Sequence, residues 1–278
     1  MNSNRVESFE STTFILLVRR LLIQTVFSLL VLFLISSCGG RPYENEGDVP
    51  LIFAAASLAD VLGNAAQTYE IKTGKRVDFS FGGSIALANQ IASLGAPSDG
   101  IFFVGDDATE VIRRAGLIHS EGYYTMLTNS LVLVGRDGVQ PMSSLDDLEF
   151  DSGQIAIGDP AVAPAGRYAQ EALESKDLWD TLLDRLILSI DVRAAMAAVE
   201  SGNADYGIVY RTDALTSNSV FILFEITDGD IQISYQAIPL ATSANAAQAD
   251  EFFDFLRIEP EIRDLFTSAG FSVAALPH

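Results

Sequence analysis

The fold is decided by residues 51–66, LIFAAASLADVLGNAA. The apolar run Leu51–Ala55 predicts a buried strand, and the apolar residues after it recur at the spacing of an amphipathic helix. Ser57 stands where the strand gives way to the helix. We expect Ser57 to be the helix N-cap, with Asp60 three residues later in a pattern similar to a capping box.

Strands and helices continue to alternate along the chain. Val77, Phe79 and Phe81 alternate as in a second strand, GGS then leads into a second helix, and Ile101–Val104 predicts a third strand. This β-α-β-α-β order implies a parallel sheet with helices on its faces. The chain has 278 residues, 49% of them apolar, and it is long enough for one doubly wound sheet or for two α/β lobes with a cleft between them.

The charge balance limits the classes of partner. The chain carries 37 Asp and Glu against 17 Lys and Arg, a net charge of −20. Such a surface repels nucleic acid and anionic lipid headgroups, so we expect no nucleic-acid partner. Any anion that binds must be captured by local hydrogen-bond donors against the overall field.

The N-terminal residues have the pattern of an export signal. Two arginines precede Leu21–Ile35, an apolar run shorter than the roughly 20 residues of a transmembrane helix, so residues 1–37 are expected to be a signal peptide. Cys38, the single cysteine, follows ISS in a sequence that resembles the bacterial lipobox and predicts lipidation. Residues 38–48 then form a tether. An ordinary signal peptide and twin-arginine export are the alternatives, and a single cysteine gives no disulfide framework.

Four junctions between strands and helices share small or capping residues. First-turn N–H groups lack intrahelical acceptors, and the helix dipole makes that end positive, so such ends bind oxyanions. In open α/β sheets these ends lie at the carboxyl edge of the strands, where ligands bind. The expected donors at the junctions are Ser57, Ser84 behind two glycines, the turn Pro164–Gly166, and Val192 after Asp191 at the N-cap.

Tyr210 adds a phenol at the end of the strand pattern GIVY. Taken alone, each of these features also fits a structural role: a serine cap, a tight turn, an aspartate N-cap or a core aromatic. Their joint occurrence favours an oxyanion site.

A family resemblance becomes specific at this point. The segments FAAASL, GGSIALANQI, GAPSD, NSLVLV, IGDPAVAPAGRYAQEAL, DVRAAMAAVESGNADYGIVYRTDA and LFTSAGF occur in the order seen in the periplasmic molybdate-binding proteins of ABC importers. The resemblance extends from Leu51 to Val273. It implies the type II periplasmic-binding-protein fold: two α/β lobes with mixed, mainly parallel sheets joined by a hinge. Lobe 1 would comprise residues 49–128 plus 236–278, and lobe 2 residues 129–235.

The resemblance also implies a ligand and its donors. In that family uncharged groups hold the oxyanion: two serines, an amide of the PAG turn, the amide after the aspartate of DVR, and the tyrosine of GIVY. The matching residues here are Ser57, Ser84, Ala165, Val192 and Tyr210. The implied protein is a monomeric, extracytoplasmic lipoprotein that captures molybdate, and tungstate too, for a membrane permease and ATPase. It would need no cofactor, and it would bind metal only as the oxyanion.

Several alternatives stay open. Ile85 and Arg167 depart from the family pattern and leave the ligand preference undecided. A site of donors suits a fully ionised dianion such as molybdate, tungstate or sulfate better than phosphate, which keeps a proton near neutral pH. Sulfate binding or an oxyanion-sensing module are the other readings.

An enzyme is not expected. The chain has only two histidines, His119 and His278, and it lacks GxSxG, so a Ser–His hydrolase is not indicated. It also shows no spacing typical of a metal site.

Overall fold

The computed structural model describes residues 49–118 and 125–275. The predicted signal peptide, Cys38, the whole of the tether and both histidines lie outside these residues. No helix among those described combines the length and the apolar composition needed to cross a bilayer.

The described residues form eleven strands and nine α-helices. The strands are β1 (Leu51–Ala55), β2 (Asp78–Gly82), β3 (Gly100–Val104), β4 (Thr125–Asn129), β5 (Leu131–Arg136), β6 (Ile155–Gly158), β7 (Leu186–Ser189), β8 (Tyr206–Tyr210), β9 (Val220–Ile226), β10 (Ile233–Pro239) and β11 (Ser272–Val273). The helices are α1 (Ala59–Thr73), α2 (Ser84–Leu94), α3 (Asp106–Arg114), α4 (Pro164–Glu174), α5 (Trp179–Leu182), α6 (Val192–Glu200), α7 (Arg211–Leu215), α8 (Ala246–Ile258) and α9 (Pro260–Ser268). Short 3₁₀ turns cover Ala56–Leu58, Leu145–Phe150 and Leu183–Arg185.

The strands form two mixed sheets. The first sheet has the order β11-β4-β10-β3-β1-β2 and the second β7-β6-β8-β5-β9. The predicted mixed α/β architecture is confirmed. We expected most strand pairs to be parallel, and they are not. The chain passes between the sheets through β4, β5, β9 and β10, and these strands run antiparallel to their neighbours.

Strand register brings the important helix starts together. In the first sheet β1 is parallel to β2, with Ala55 opposite Gly82, so the chain leaves both strands at the same edge. In the second sheet β6 is parallel to β7, with Gly158 opposite Ser189. Each sheet therefore presents two helix starts at the carboxyl ends of neighbouring parallel strands.

Two of the four predicted helix starts are confirmed. α4 begins at Pro164, which suits the first helical position because its fixed φ matches the helix and its missing N–H costs no bond. α6 begins at Val192, and the Oδ1 of Asp191 accepts a 2.9 Å hydrogen bond from the Ala194 N–H, as expected of an N-cap.

The N-cap predictions for the two serines are wrong. Ser57 lies inside the 3₁₀ turn, and α1 begins only at Ala59 with no side-chain cap. Ser84 is the first residue of α2, and Gly83 is the N-cap. The physical reason is that both hydroxyls have other partners, described below.

Candidate functional site

All five predicted donor residues line one small cavity. Its wall combines residues of the first sheet's helix starts with residues of the second sheet: Ala55, Ala56, Ser57, Gly82, Gly83, Ser84, Val104, Ala163, Pro164, Ala165, Asp191, Val192 and Tyr210. The centre of a water-sized sphere can occupy about 10 Å³ of it, which is room for one small species. The structure thus brings together donors as far apart in the chain as Ser57 and Tyr210.

Helix geometry supplies the main-chain donors. Val192 is the first residue of α6 and Ala165 the second of α4, and N–H groups at these positions have no acceptor within their own helix. Both residues are buried. The helix dipole adds positive potential at the same two ends.

The Tyr210 hydroxyl is the most informative atom of the site. It is buried at the end of β8, and it has no hydrogen-bond partner among the described residues. Burial raises the pKa of Tyr210 well above its usual value, so the phenol keeps its hydrogen as a donor. A buried polar group without a partner costs about 1–3 kcal/mol, and such an atom on a cavity wall points to a ligand.

Each of the two serine hydroxyls has a hydrogen-bond partner within the protein. Ser84 Oγ accepts a 3.2 Å hydrogen bond from the Val104 N–H, which leaves the serine hydrogen available. Ser57 Oγ lies 3.0 Å from the hydroxyl oxygen of Tyr235. Both serines are almost fully buried.

The two sides of the cavity touch through main-chain atoms. A Cβ on Gly83 would lie 2.6 Å from the Val162 carbonyl oxygen and 2.9 Å from that of Ile190. The Ala86 N–H donates a 3.0 Å hydrogen bond to the same Val162 oxygen. Only glycine permits this approach of α2 to the loops of the second sheet.

Arg193, which directly follows the donor Val192, is already paired. Arg193 Nη2 donates to Asp60 Oδ2 at 2.7 Å, and Arg193 Nε lies 2.6 Å from Asp213 Oδ1. Asp213 is fully buried, and desolvation raises its pKa to about 7 although Arg193 opposes the shift. Asp191 is the one charged residue on the described cavity wall, and its carboxylate caps α6.

The two departures from the family pattern do not reach the cavity. Ile85 is buried in an apolar cluster with Phe53 and Ile101. Arg167 lies 3.2 Å from Asp107 and lines a larger, adjoining cleft of about 310 Å³, not the donor cavity. Neither side chain therefore narrows the space between the donors.

Sequence reasoning missed two residues behind Ser57. Tyr235 lies on β10 and Asn129 ends β4, and their side chains bond each other at 3.2 Å. Neither residue stands at a strand-to-helix junction. No local pattern could have associated them with Ser57, because β10 reaches the site only through sheet pairing with β3.

Comparison with known proteins identifies the family. Residues 50–272 match the family model described as bacterial extracellular solute-binding protein. The chain is 33% identical over 243 residues to the molybdate-binding protein ModA of Escherichia coli (strain K12), covering 84% of this chain and 92% of that protein. It is 32% identical over 254 residues to YvgL of Bacillus subtilis (strain 168), a candidate ABC transporter substrate-binding lipoprotein, covering 89% and 96%.

A solved structure shares the fold. The periplasmic molybdate-binding protein of Azotobacter vinelandii superposes with a TM-score of 0.69 at 22% identity, covering 82% of this chain and 100% of that one. The match confirms the predicted fold of the type II periplasmic binding proteins. The chain belongs to the bacterial extracellular solute-binding protein family, whose members bind solutes for transporters and are not enzymes.

Proposed function

We propose that this protein captures molybdate, and tungstate as well, for an ABC importer. The observation that carries the proposal is the buried Tyr210 hydroxyl, which has no partner in the part of the chain that the structure describes. It lies on a cavity wall that also holds two helix starts and two serines. The molybdate-binding relatives support the choice of oxyanion. Sulfate is the ligand that the same donors would also suit.

The proposed ligand donors are Ser57, Ser84, Ala165, Val192 and Tyr210. Each offers a hydrogen to the ligand, and none brings a counter-charge. A fully ionised tetrahedral dianion needs only donors, whereas protonated phosphate also needs an acceptor. Asp191 is the carboxylate at hand, and its bond to the Ala194 N–H assigns it to the helix instead.

Closure between two lobes is the proposed binding mechanism. Lobe 1 would comprise residues 49–128 plus 236–278 and lobe 2 residues 129–235, so each lobe holds part of the donor set. An oxyanion that contacts both parts favours the closed arrangement because only closure assembles all donors. The hydrogen bond from Ala86 to Val162 and the bridge from Arg193 to Asp60 support this view.

The cellular setting is part of the proposal. Export by residues 1–37 and lipidation of Cys38 would anchor the mature, monomeric protein outside the cytoplasm, with residues 38–48 as a tether. The similarity to a candidate lipoprotein of an ABC transporter supports this setting. The closed protein would then deliver the oxyanion to a membrane permease driven by an ATPase.

The test is calorimetric titration with molybdate, tungstate, sulfate, phosphate and chromate. We expect binding of molybdate and tungstate, and affinity reduced about 10-fold or more in Ser57→Ala and in Ser84→Ala, since each removes a hydrogen bond to a charged group. Ser201→Ala, at an exposed helix end, is the matched control. Binding of phosphate alone, or unchanged affinity in both serine variants, contradicts the proposal.

A further inference from the structure

Behind the cavity wall, a chain of four buried or half-buried polar side chains connects both sheets. It runs from Ser57 through Tyr235 and Asn129 to Thr212, with oxygen–oxygen or nitrogen–oxygen distances of 3.0, 3.2 and 2.9 Å. Thr212 belongs to α7, which follows the second sheet's β8, whereas Tyr235 and Asn129 belong to the first sheet. On the basis of the proposed function, we ask how these four side chains affect the bound ligand.

The orientation of the Asn129 amide is fixed by its neighbours. Its Oδ1 accepts a 2.9 Å hydrogen bond from the Ser130 N–H, and its Nδ2 donates to Thr212 Oγ1 and to the Tyr235 oxygen. The flipped amide would set an NH₂ group against the Ser130 N–H, donor against donor. Both Nδ2 hydrogens are therefore committed, one of them to Tyr235.

The direction of the bond between Tyr235 and Ser57 follows. The Tyr235 hydroxyl accepts from Asn129, and its single hydrogen must find an acceptor because the side chain is fully buried. Ser57 Oγ at 3.0 Å is the acceptor that the described residues offer. The reverse direction would give the phenol oxygen two incoming hydrogens and leave its own hydrogen without a partner.

We propose that Tyr235 and Asn129 are positioning residues that make the Ser57 hydroxyl a donor into the cavity. Because Ser57 Oγ accepts from Tyr235, its own hydrogen is left for the ligand. Ser84 reaches the same state through a main-chain donor, the Val104 N–H. The four hydrogen-bonded side chains thus orient the Ser57 hydroxyl before the anion arrives. That orientation depends on Asn129, which lies where the polypeptide leaves the first sheet for the second.

A double-mutant cycle with molybdate tests the coupling. We expect Tyr235→Phe to lower the molybdate affinity about five- to tenfold in the wild-type background and to have no effect in the Ser57→Ala background. A merely structural role would weaken binding equally in both backgrounds. Tyr206→Phe, which removes a buried hydroxyl bonded to Asp151 at the far end of β8, is the matched control and should bind as the wild type does.

Asn129→Asp gives a second, independent variant. A carboxylate in place of the amide would accept the Tyr235 hydrogen, so Ser57 would turn its hydrogen to Tyr235 and present a lone pair to the anion. We expect a loss of affinity greater than that of Tyr235→Phe, and a much smaller loss in the Ser57→Ala background. Ligand-free thermal unfolding verifies that each variant is folded.

The outcomes separate this inference from the proposed function. If the wild type binds molybdate and Ser57→Ala weakens binding, but the effects of Tyr235→Phe and Asn129→Asp are absent or additive with Ser57→Ala, the positioning role is wrong and the binding function stands. If no oxyanion of the panel binds the wild type, both are wrong.

Discussion

At the scale of single residues, the Tyr210 hydroxyl is the group that most clearly indicates a ligand site. This hydroxyl is buried on the cavity wall, and no residue of 49–118 or 125–275 bonds to it, so it is a donor that a ligand oxygen would satisfy. The ring is held edge-on between Tyr168 and Tyr235, with centroids 6.5 and 6.2 Å away. The packing fixes the direction in which the hydroxyl points.

Tyr210→Phe should therefore have opposite effects on binding and on stability. We expect molybdate affinity to fall about 10- to 100-fold, since a hydrogen bond to a charged group is lost, while the ligand-free protein gains up to about 1 kcal/mol because the unpaired hydroxyl disappears. Titration calorimetry and ligand-free denaturant unfolding measure the two effects. A lower stability with unchanged affinity would show that the hydroxyl serves the fold instead.

Asp213 gives a prediction about pH. Its folded-state pKa of about 7 lies above the ordinary value of 3.8, so the folded protein binds a proton that the unfolded chain releases. Stability from this group is complete below about pH 4 and is lost as the pH rises towards 7. We expect the wild-type melting temperature to fall from pH 5 to pH 8 by more than that of Asp213→Asn; equal slopes would contradict this.

At the scale of elements, the start of α2 depends on Gly83. Its φ of −64° and ψ of 125° are open to alanine, so the need for glycine comes from space and not from backbone conformation. A methyl group there would meet the Val162 carbonyl oxygen at 2.6 Å. That contact joins the two sides of the cavity, and in the proposed mechanism only the closed arrangement requires it.

Gly83→Ala should accordingly weaken molybdate binding by about 10-fold or more, because overpacking of this kind costs about 1–3 kcal/mol. The melting temperature without ligand should change much less than the affinity. Gly63→Ala, inside α1 with no atom within 4 Å of the added methyl, is the control. It should gain about 0.5–1 kcal/mol of stability and bind normally. Equal affinity of the two variants would contradict the role of Gly83.

The element scale also shows how far sequence reasoning reached. The starts of α4 and α6 were predictable because proline and the Asp191 N-cap act locally. The two serine caps were wrong because their hydroxyls bond distant groups: Val104, and Tyr235, which is 178 residues from Ser57. The sequence analysis placed four donors at helix starts and Tyr210 at a strand end, but the bonds that orient the serines depend on tertiary structure.

At the scale of the whole molecule, Arg193 links the two sides of the cleft. It extends from α6 to Asp60 on α1, and its other partner is the buried Asp213. The link joins α6, which follows a strand of the second sheet, to α1, which follows a strand of the first. In the proposed closing mechanism its strength would contribute to the balance between open and closed arrangements.

Asp60→Asn should shift that balance towards the open arrangement. We expect an increased radius of gyration of the ligand-free protein in small-angle X-ray scattering, recovery at saturating molybdate, and about two- to fivefold weaker binding at low salt. The difference should shrink in 1 M salt because the pair is partly exposed. Glu110→Gln, whose partners Arg113 and Arg114 both lie in α3 with it, is the matched control. No change in radius would rule out the link.

The main-chain contact between Gly83 and Val162 has a kinetic consequence. In the proposed closed arrangement this contact would act as a seal, and the bound ion would leave after the two sides separate there. The residence time of the ion is then set by how often the seal breaks. Oxyanions that permit full closure would then dissociate with similar rate constants. Transfer of the ion to the proposed importer would require the two sides of the cavity to be separated at this contact.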